Sequence, residues 1–233
     1  MKPLNIRPLQ AIVHDAINTI GDPSRHSFSD YINTIERKAH EIYLEEERKA
    51  IEELLLRKFN PRSMLKDIIK NLIRLIQELS TVIANTRRAR GGGSSEYILK
   101  EALLRYAGIP SEVIGKRKGE KSYYPDLAIP SRNDLTKNPQ KSIALAVKRT
   151  LRERWREDIN IFNHFPNSAF VCISESTDIS NRKLEDMENE GIKVLFLPDS
   201  IYQKHRSFIE ENITEMEVYE LSDLPEWVKS ILS

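Results

Sequence analysis

Two residues in this chain have the types and the spacing that phosphate chemistry uses. Asp126 follows a proline in the run Tyr123-Tyr124-Pro125-Asp126-Leu127-Ala128-Ile129. Lys148 ends a second apolar run, Ile143-Ala144-Leu145-Ala146-Val147-Lys148. A carboxylate and a lysine on adjacent strands suit metal-dependent phosphodiester hydrolysis. The acid holds a divalent cation against the phosphate, and the ammonium positions the attacking water. In a strand, side chains alternate between faces. Ile143, Leu145 and Val147 therefore face the core, while Ala144, Ala146, Lys148 and Thr150 share the other side, with space around the ammonium. A lysine on an apolar strand is costly to bury without a partner, and Asp126 is the natural one. An ordinary salt bridge between strands would explain the same two residues.

The segment after Lys148 adds charge of both signs. From Lys141 to Arg156 there are six bases (Lys141, Lys148, Arg149, Arg152, Arg154, Arg156) against one acid, Glu153. A second basic cluster, Arg87-Arg88-Ala89-Arg90, lies upstream, and Arg88 and Arg90 are candidate contacts to a DNA backbone. Thr150-Leu151-Arg152-Glu153 fits a capping box. The triplet Arg152-Glu153-Arg154 also offers base readers, since arginine can donate twice to guanine O6 and N7 and a carboxylate can accept from cytosine N4. Further along the expected helix, Leu151, Trp155, Ile159 and Phe162 form an apolar stripe. Asp158 falls inside that stripe, where a carboxylate needs a metal or a base as partner. Glu157 stands beside it.

These residues need elements to hold them. Residues 1–86 read as entirely helical, with a break at Asn60-Pro61. Leu65, Ile69, Leu72, Ile76, Leu79 and Ile83 then form one narrow seam, suited to packing on the preceding helix or on another subunit. Gly91-Gly92-Gly93 marks the clearest joint. From residue 87 to 233 the pattern is α/β. Helices are expected at about 95–107, 151–164, 180–190, from 199 or 200, and at 224–232. Strands are expected at 123–129, 142–149, 168–174, 192–197 and 216–220. Such alternation implies a mixed central sheet flanked by helices.

Composition narrows the function classes. In 233 residues, 36 Lys and Arg nearly balance 35 Asp and Glu, for a net charge of +1. A protein that coats DNA without selectivity would be more basic overall; here the positive charge is local. The single cysteine, Cys172, rules out an internal disulfide framework and is expected to be a core thiol in a reducing, cytoplasmic setting. No run is long enough for a membrane span, and the N-terminus lacks a signal-peptide pattern. The five histidines have no zinc-ligand spacing. The glycine run lacks the Gly-Lys-Ser/Thr of a phosphate-binding loop.

Pro125-Asp126 followed by Lys148 resembles the PD-(D/E)XK nuclease superfamily. Ala146-Val147-Lys148-Arg149-Thr150-Leu151-Arg152-Glu153-Arg154-Trp155-Arg156 resembles the lysine strand and recognition helix of the EcoRII-type restriction endonucleases. Arg87 to Leu104, with Glu96, is similar to the segment that family places before its Pro-Asp strand. Leu184-Glu185-Asp186-Met187-Glu188-Asn189-Glu190-Gly191-Ile192-Lys193-Val194 and Leu197-Pro198-Asp199-Ser200 are similar to its late helix and strand. The resemblance covers residues 86–210. It implies a type II restriction endonuclease that hydrolyses both strands of a short palindromic DNA site. It also implies Mg²⁺ held by Asp126 and Glu96, Lys148 as a catalytic residue, and a homodimer on double-stranded DNA. The triplet Arg152-Glu153-Arg154 would read CC:GG half-sites. The residues 1–86 would serve dimerisation or embrace DNA. Two positions depart from the wider pattern. Ala146 stands where many superfamily members carry an acid, as it does in EcoRII-type enzymes, and Ile161 stands where those enzymes carry a helical carboxylate. Glu157 or Asp158 is expected to replace it. A DNA-binding protein with a decayed site, and a repair or mismatch nickase on the same core, are the alternatives.

Overall fold

The computed structural model describes residues 4–58, 72, 74, 76–84, 94–114, 124–149, 153–175 and 179–233, with the backbone alone for residues 57, 58, 153, 154 and 157. The chain divides into two compact units. One comprises Met1–Thr19 and Arg37–Ser94, the other Ile20–Glu36 and Ser95–Ser233.

The first unit is helical where described, apart from residues 4–8. Helix α1 (Leu9–Ile20) buries Ile12, Val13, Ala16 and Ile17, a spacing that keeps one face apolar. Arg7 bridges Asp15 (2.6 Å) and Glu46. The long helix α2 (Phe28–Lys58) begins in the second unit and continues into the first. Residues 76–84 are helical, as expected. Leu79 is buried, whereas Leu72 and Ile76 are 40% and 54% exposed. Leu65, Ile69 and the break at Asn60-Pro61 lie outside the described residues, as do Arg88, Arg90 and the three glycines after them.

The second unit is built on a six-stranded sheet in sequence order: β1 (Glu112–Val113), β2 (Leu127–Ile129), β3 (Ile143–Lys148), β4 (Ser168–Cys172), β5 (Val194–Leu197) and β6 (Glu217–Glu220). The pairs β1–β2 and β2–β3 are antiparallel, and β3 to β6 pair in parallel. Parallel neighbours need crossovers. A 3₁₀ segment (Glu153–Asp158) with α5 (Asn160–His164), then α6 (Asn181–Asn189) and α7 (Asp199–Asn212) supply them. Helices α3 (Ser94–Ala107), α4 (Arg132–Lys137) and α8 (Leu224–Leu232) complete the set. The mixed sheet with flanking helices is the architecture the sequence pattern implies. The brief strand β1 and helix α4 were not legible in it, being too short to carry a period.

Both faces of the sheet are covered. On one, Ala146, Phe170, Cys172, Leu195 and Leu197 pack with Trp155, Ile161, Leu184, Met187 and Ile209 of the crossover segments. On the other, Phe196 meets Trp227 of α8 edge-on, ring centroids 5.4 Å apart. The alanines on the Lys148 side of β3 are covered, while Lys148 itself stays 20% exposed. Ala146 packs under the crossover segments and Ala144 beside Ile114, Ala128 and Leu135 of α4, and both are buried about as completely as Ile143 and Leu145.

Candidate active site

Asp126 sits one step before the paired residues of β2. Its backbone N–H donates to the Leu145 carbonyl (2.9 Å), and its own carbonyl accepts from Ile114 N–H (2.9 Å). The register Leu127↔Leu145 and Ala128↔Ala144 puts it diagonal to Lys148 on one face, a distance that long side chains bridge. Lys148 Nζ lies 3.2 Å from Asp126 Oδ2. That oxygen also accepts from the Val147 backbone N–H at 2.9 Å, so the carboxylate is fixed by β3 on both sides of its last turn of pleat. Asp126 is 8% exposed.

The second carboxylate comes from the crossover. The expected single helix over 151–164 is two pieces: the 3₁₀ segment ending at Asp158, then α5 from Asn160. At three residues per turn, side chains at i and i+3 eclipse. Trp155 and Asp158 accordingly share the sheet-facing side, each 2% exposed. Asp158 Oδ2 contacts Lys148 Nζ directly. Ile161, three residues further, is fully buried among Ala146, Phe170 and Leu184. Of the neighbouring acids, the ammonium thus meets Asp158; the Glu157 side chain lies outside the description.

Burial alone would lower the pKa of Lys148, but Asp126 and Asp158 outweigh it and hold the pKa above its ordinary value. At neutral pH the side chain is an ammonium. Cys172 lies opposite Lys148 across β3 and β4. It is a core thiol, as expected, with Sγ 3.6 Å from the Arg149 carbonyl. Ile173 N–H donates to the Lys148 carbonyl at 3.0 Å. The backbone on either side of the lysine is thereby pinned.

Glu96 occupies the first turn of α3 and is half-buried. Among the described residues no three His, Cys, Asp or Glu side chains converge as they would around an ion. The donors that do meet are two carboxylates sharing one ammonium. Hard carboxylate oxygens, one or two in number, fit Mg²⁺, which otherwise keeps water and phosphate oxygens. The backbone of Glu153 and Arg154 lies in the 3₁₀ segment, while Thr150, Leu151 and Arg152 lie outside the described residues.

The local excess of positive charge is offset by acids remote in sequence. Arg149 pairs with Glu36 of α2. Arg156 pairs with Glu190 (3.2 Å) and lies over the Trp155 ring (4.7 Å to its centre). Neither acid carries a local sequence signal that would have found it.

An aspartate and a lysine on adjacent strands of a mixed sheet, with parallel crossovers behind the lysine strand, define a restriction-endonuclease-like core. The chain belongs to the EcoRII C terminal family, whose model matches residues 44–219. It is 33% identical over 113 residues to the type II restriction enzyme SsoII of Shigella sonnei, a match covering 46% of this chain and 37% of that protein. It therefore spans little more than a third of the curated relative's length. Among solved structures, it is similar to the restriction endonuclease PspGI in a complex with substrate DNA, with TM-score 0.76 and 25% identity. That alignment covers 100% of this chain and 96% of PspGI. Metal-depleted Ecl18kI in complex with uncleaved, modified DNA shares the fold at TM-score 0.72 and 19% identity, over 97% of this chain and 79% of that one.

Proposed function

We propose that this protein is a type II restriction endonuclease that hydrolyses both strands of a short palindromic DNA site with CC:GG half-sites, using Mg²⁺. The observation that carries the reading is the Lys148 ammonium seated against both Asp126 and Asp158 at the end of β3. Asp126 and Asp158 would hold the cation, whereas Glu96, the acid expected beside Asp126, does not converge with the two of them. When bound, the cation supplies a Lewis acid that polarises the scissile phosphate.

The chain's own residues do the rest. Lys148 Nζ, protonated at neutral pH, orients the attacking water and donates to a phosphate oxygen, and its charge stabilises the negative charge that develops on the phosphate as the water oxygen bonds to phosphorus. The Val147 N–H keeps Asp126 from rotating away. Burial of Asp158 and Trp155 excludes bulk water from the ammonium's inner side. Arg152, Glu153 and Arg154 read adjacent C:G pairs from the major groove, and Arg88 and Arg90 contact the backbone. A homodimer matches the two-fold symmetry of a palindrome. The exposed apolar side chains Leu56, Leu72 and Ile76 of the first unit support a role for residues 1–86 in that pairing. Among the described residues no helix is long and apolar enough to cross a membrane, and we place the enzyme with its DNA in the cytoplasm.

The test is digestion of a sequenced plasmid with and without Mg²⁺, followed by mapping of the ends. Metal-dependent double-strand cuts at one palindrome with CC:GG half-sites are expected, and Asp126→Ala and Lys148→Ala should each abolish them. Binding without cleavage would instead indicate a decayed site, a reading favoured by the burial of Ile161. Single-strand nicks would indicate a nickase.

A further inference from the structure

Arg149 is the residue next to Lys148, and its guanidinium is 48% exposed, yet it is held by a carboxylate 113 positions earlier. That carboxylate, Glu36, is only 15% exposed. It belongs to α2, whose first turns are fixed to the sheet unit. Ser29 Oγ accepts from Asp199 N–H (3.3 Å), and Ser29 N–H donates to Ser222 Oγ (3.3 Å). Phe28 packs edge-on against Tyr106, ring centres 5.2 Å apart. Glu36 is therefore presented to Arg149 by an anchored helix.

A guanidinium makes the same charge-assisted pairing with a carboxylate as with a phosphate. A DNA phosphate that approaches Arg149 must compete with Glu36, which already holds Nε, for the guanidinium's charge. Resting on the DNA-cleaving reading above, we propose that Glu36 is a specificity-determining residue that withholds Arg149 from non-specific duplex. Glu36 is tethered by its anchored helix, so it stays beside Arg149 and its charge repels the phosphate of a loosely held duplex. Non-specific affinity rests on the number of phosphates neutralised. Each basic residue withheld lowers it and widens the gap to the cognate site. Arg156 makes a similar pair with Glu190, but both partners there are about half exposed, so solvent screens that pair more strongly.

The experiment is the salt dependence of binding to a duplex without adjacent C:G pairs, measured by fluorescence anisotropy without divalent metal. Glu36→Gln should steepen the slope of log K against log salt by about 0.9, the value for one added phosphate contact. Glu36→Asp should behave as wild type. The double variant Glu36→Gln/Arg149→Gln should return to the wild-type slope. An unchanged slope in a folded Glu36→Gln protein overturns the inference, as does a steepened slope that persists in the double variant. A measurement on the wild type stands apart from folding of variants. The Arg149 Nε–H resonance, assigned with Arg149→Lys, should exchange slowly and stay unmoved when non-specific duplex is added. A shift on addition overturns the inference. Failure of the wild type to bind any duplex would instead defeat the DNA-cleaving reading itself.

Discussion

Asp158 Oδ2 contacts Lys148 Nζ, while Ile161, one turn later and at the family's carboxylate position, is sealed in the core. In the function proposed above, Asp158 at the end of the 3₁₀ segment would take the place of that acid, three residues before it. Either position faces the sheet, because residues three apart share a side in this stretch.

This relationship separates two neighbouring acids. Asp158→Asn should lower cleavage on the order of 10²-fold or more through weaker metal binding, visible as a shift in the Mg²⁺ dependence. Glu157→Gln should leave that dependence close to wild type. The reverse pattern would assign the role to Glu157.

Removing the ammonium leaves two buried carboxylates facing each other. Breaking a buried ion pair from one side costs on the order of 3–5 kcal/mol, and the 20% exposure of Lys148 places this case at or below the lower end. Lys148→Met should therefore lower the unfolding midpoint as well as abolish cleavage. Adding Asp158→Asn to it should recover part of the stability and none of the activity. Denaturant unfolding of the single and double variants checks both statements.

Restoring the family's acid at its usual position should fail. Ile161→Glu places a carboxylate among Phe170, Leu184 and Met187, where an unpaired charge costs several kcal/mol. The expected result is a lower melting temperature and no rescue of Asp158→Asn. Rescue would mean that α5 turns this position towards Lys148.

Glu153→Gln tests recognition against capping. It retains size and removes the charged acceptor for cytosine N4. The expected outcome is weaker binding to the CC:GG site by about 1–3 kcal/mol, with unchanged melting temperature and unchanged binding to unrelated duplex. Lower stability with an unaltered ratio of cognate to unrelated affinity would make Glu153 a helix cap.

Much of this was legible in the sequence because it depends on local pattern. Alternation over 143–148 and the apolar run at 168–172 marked the central strands, and the Gly191 that follows α6 marked its end. The apolar strand around Lys148 required a buried partner, and Pro125-Asp126 supplied the candidate. Asp158 stood out as a charge within an apolar stripe. The sequence alone did not settle which of Glu157 and Asp158, one helical turn before Ile161 on neighbouring faces, meets Lys148. In the fold, the 3₁₀ segment brings Asp158 against Lys148. The charge of the Lys141–Arg156 segment was likewise undecided. In sequence it is a run of bases with one acid. In the fold, Asp126 and Asp158 meet Lys148, Glu36 meets Arg149, and Glu190 meets Arg156. Electrostatic partners are chosen by distance in space, and only the folded sheet, its crossovers and the start of α2 bring these acids within reach.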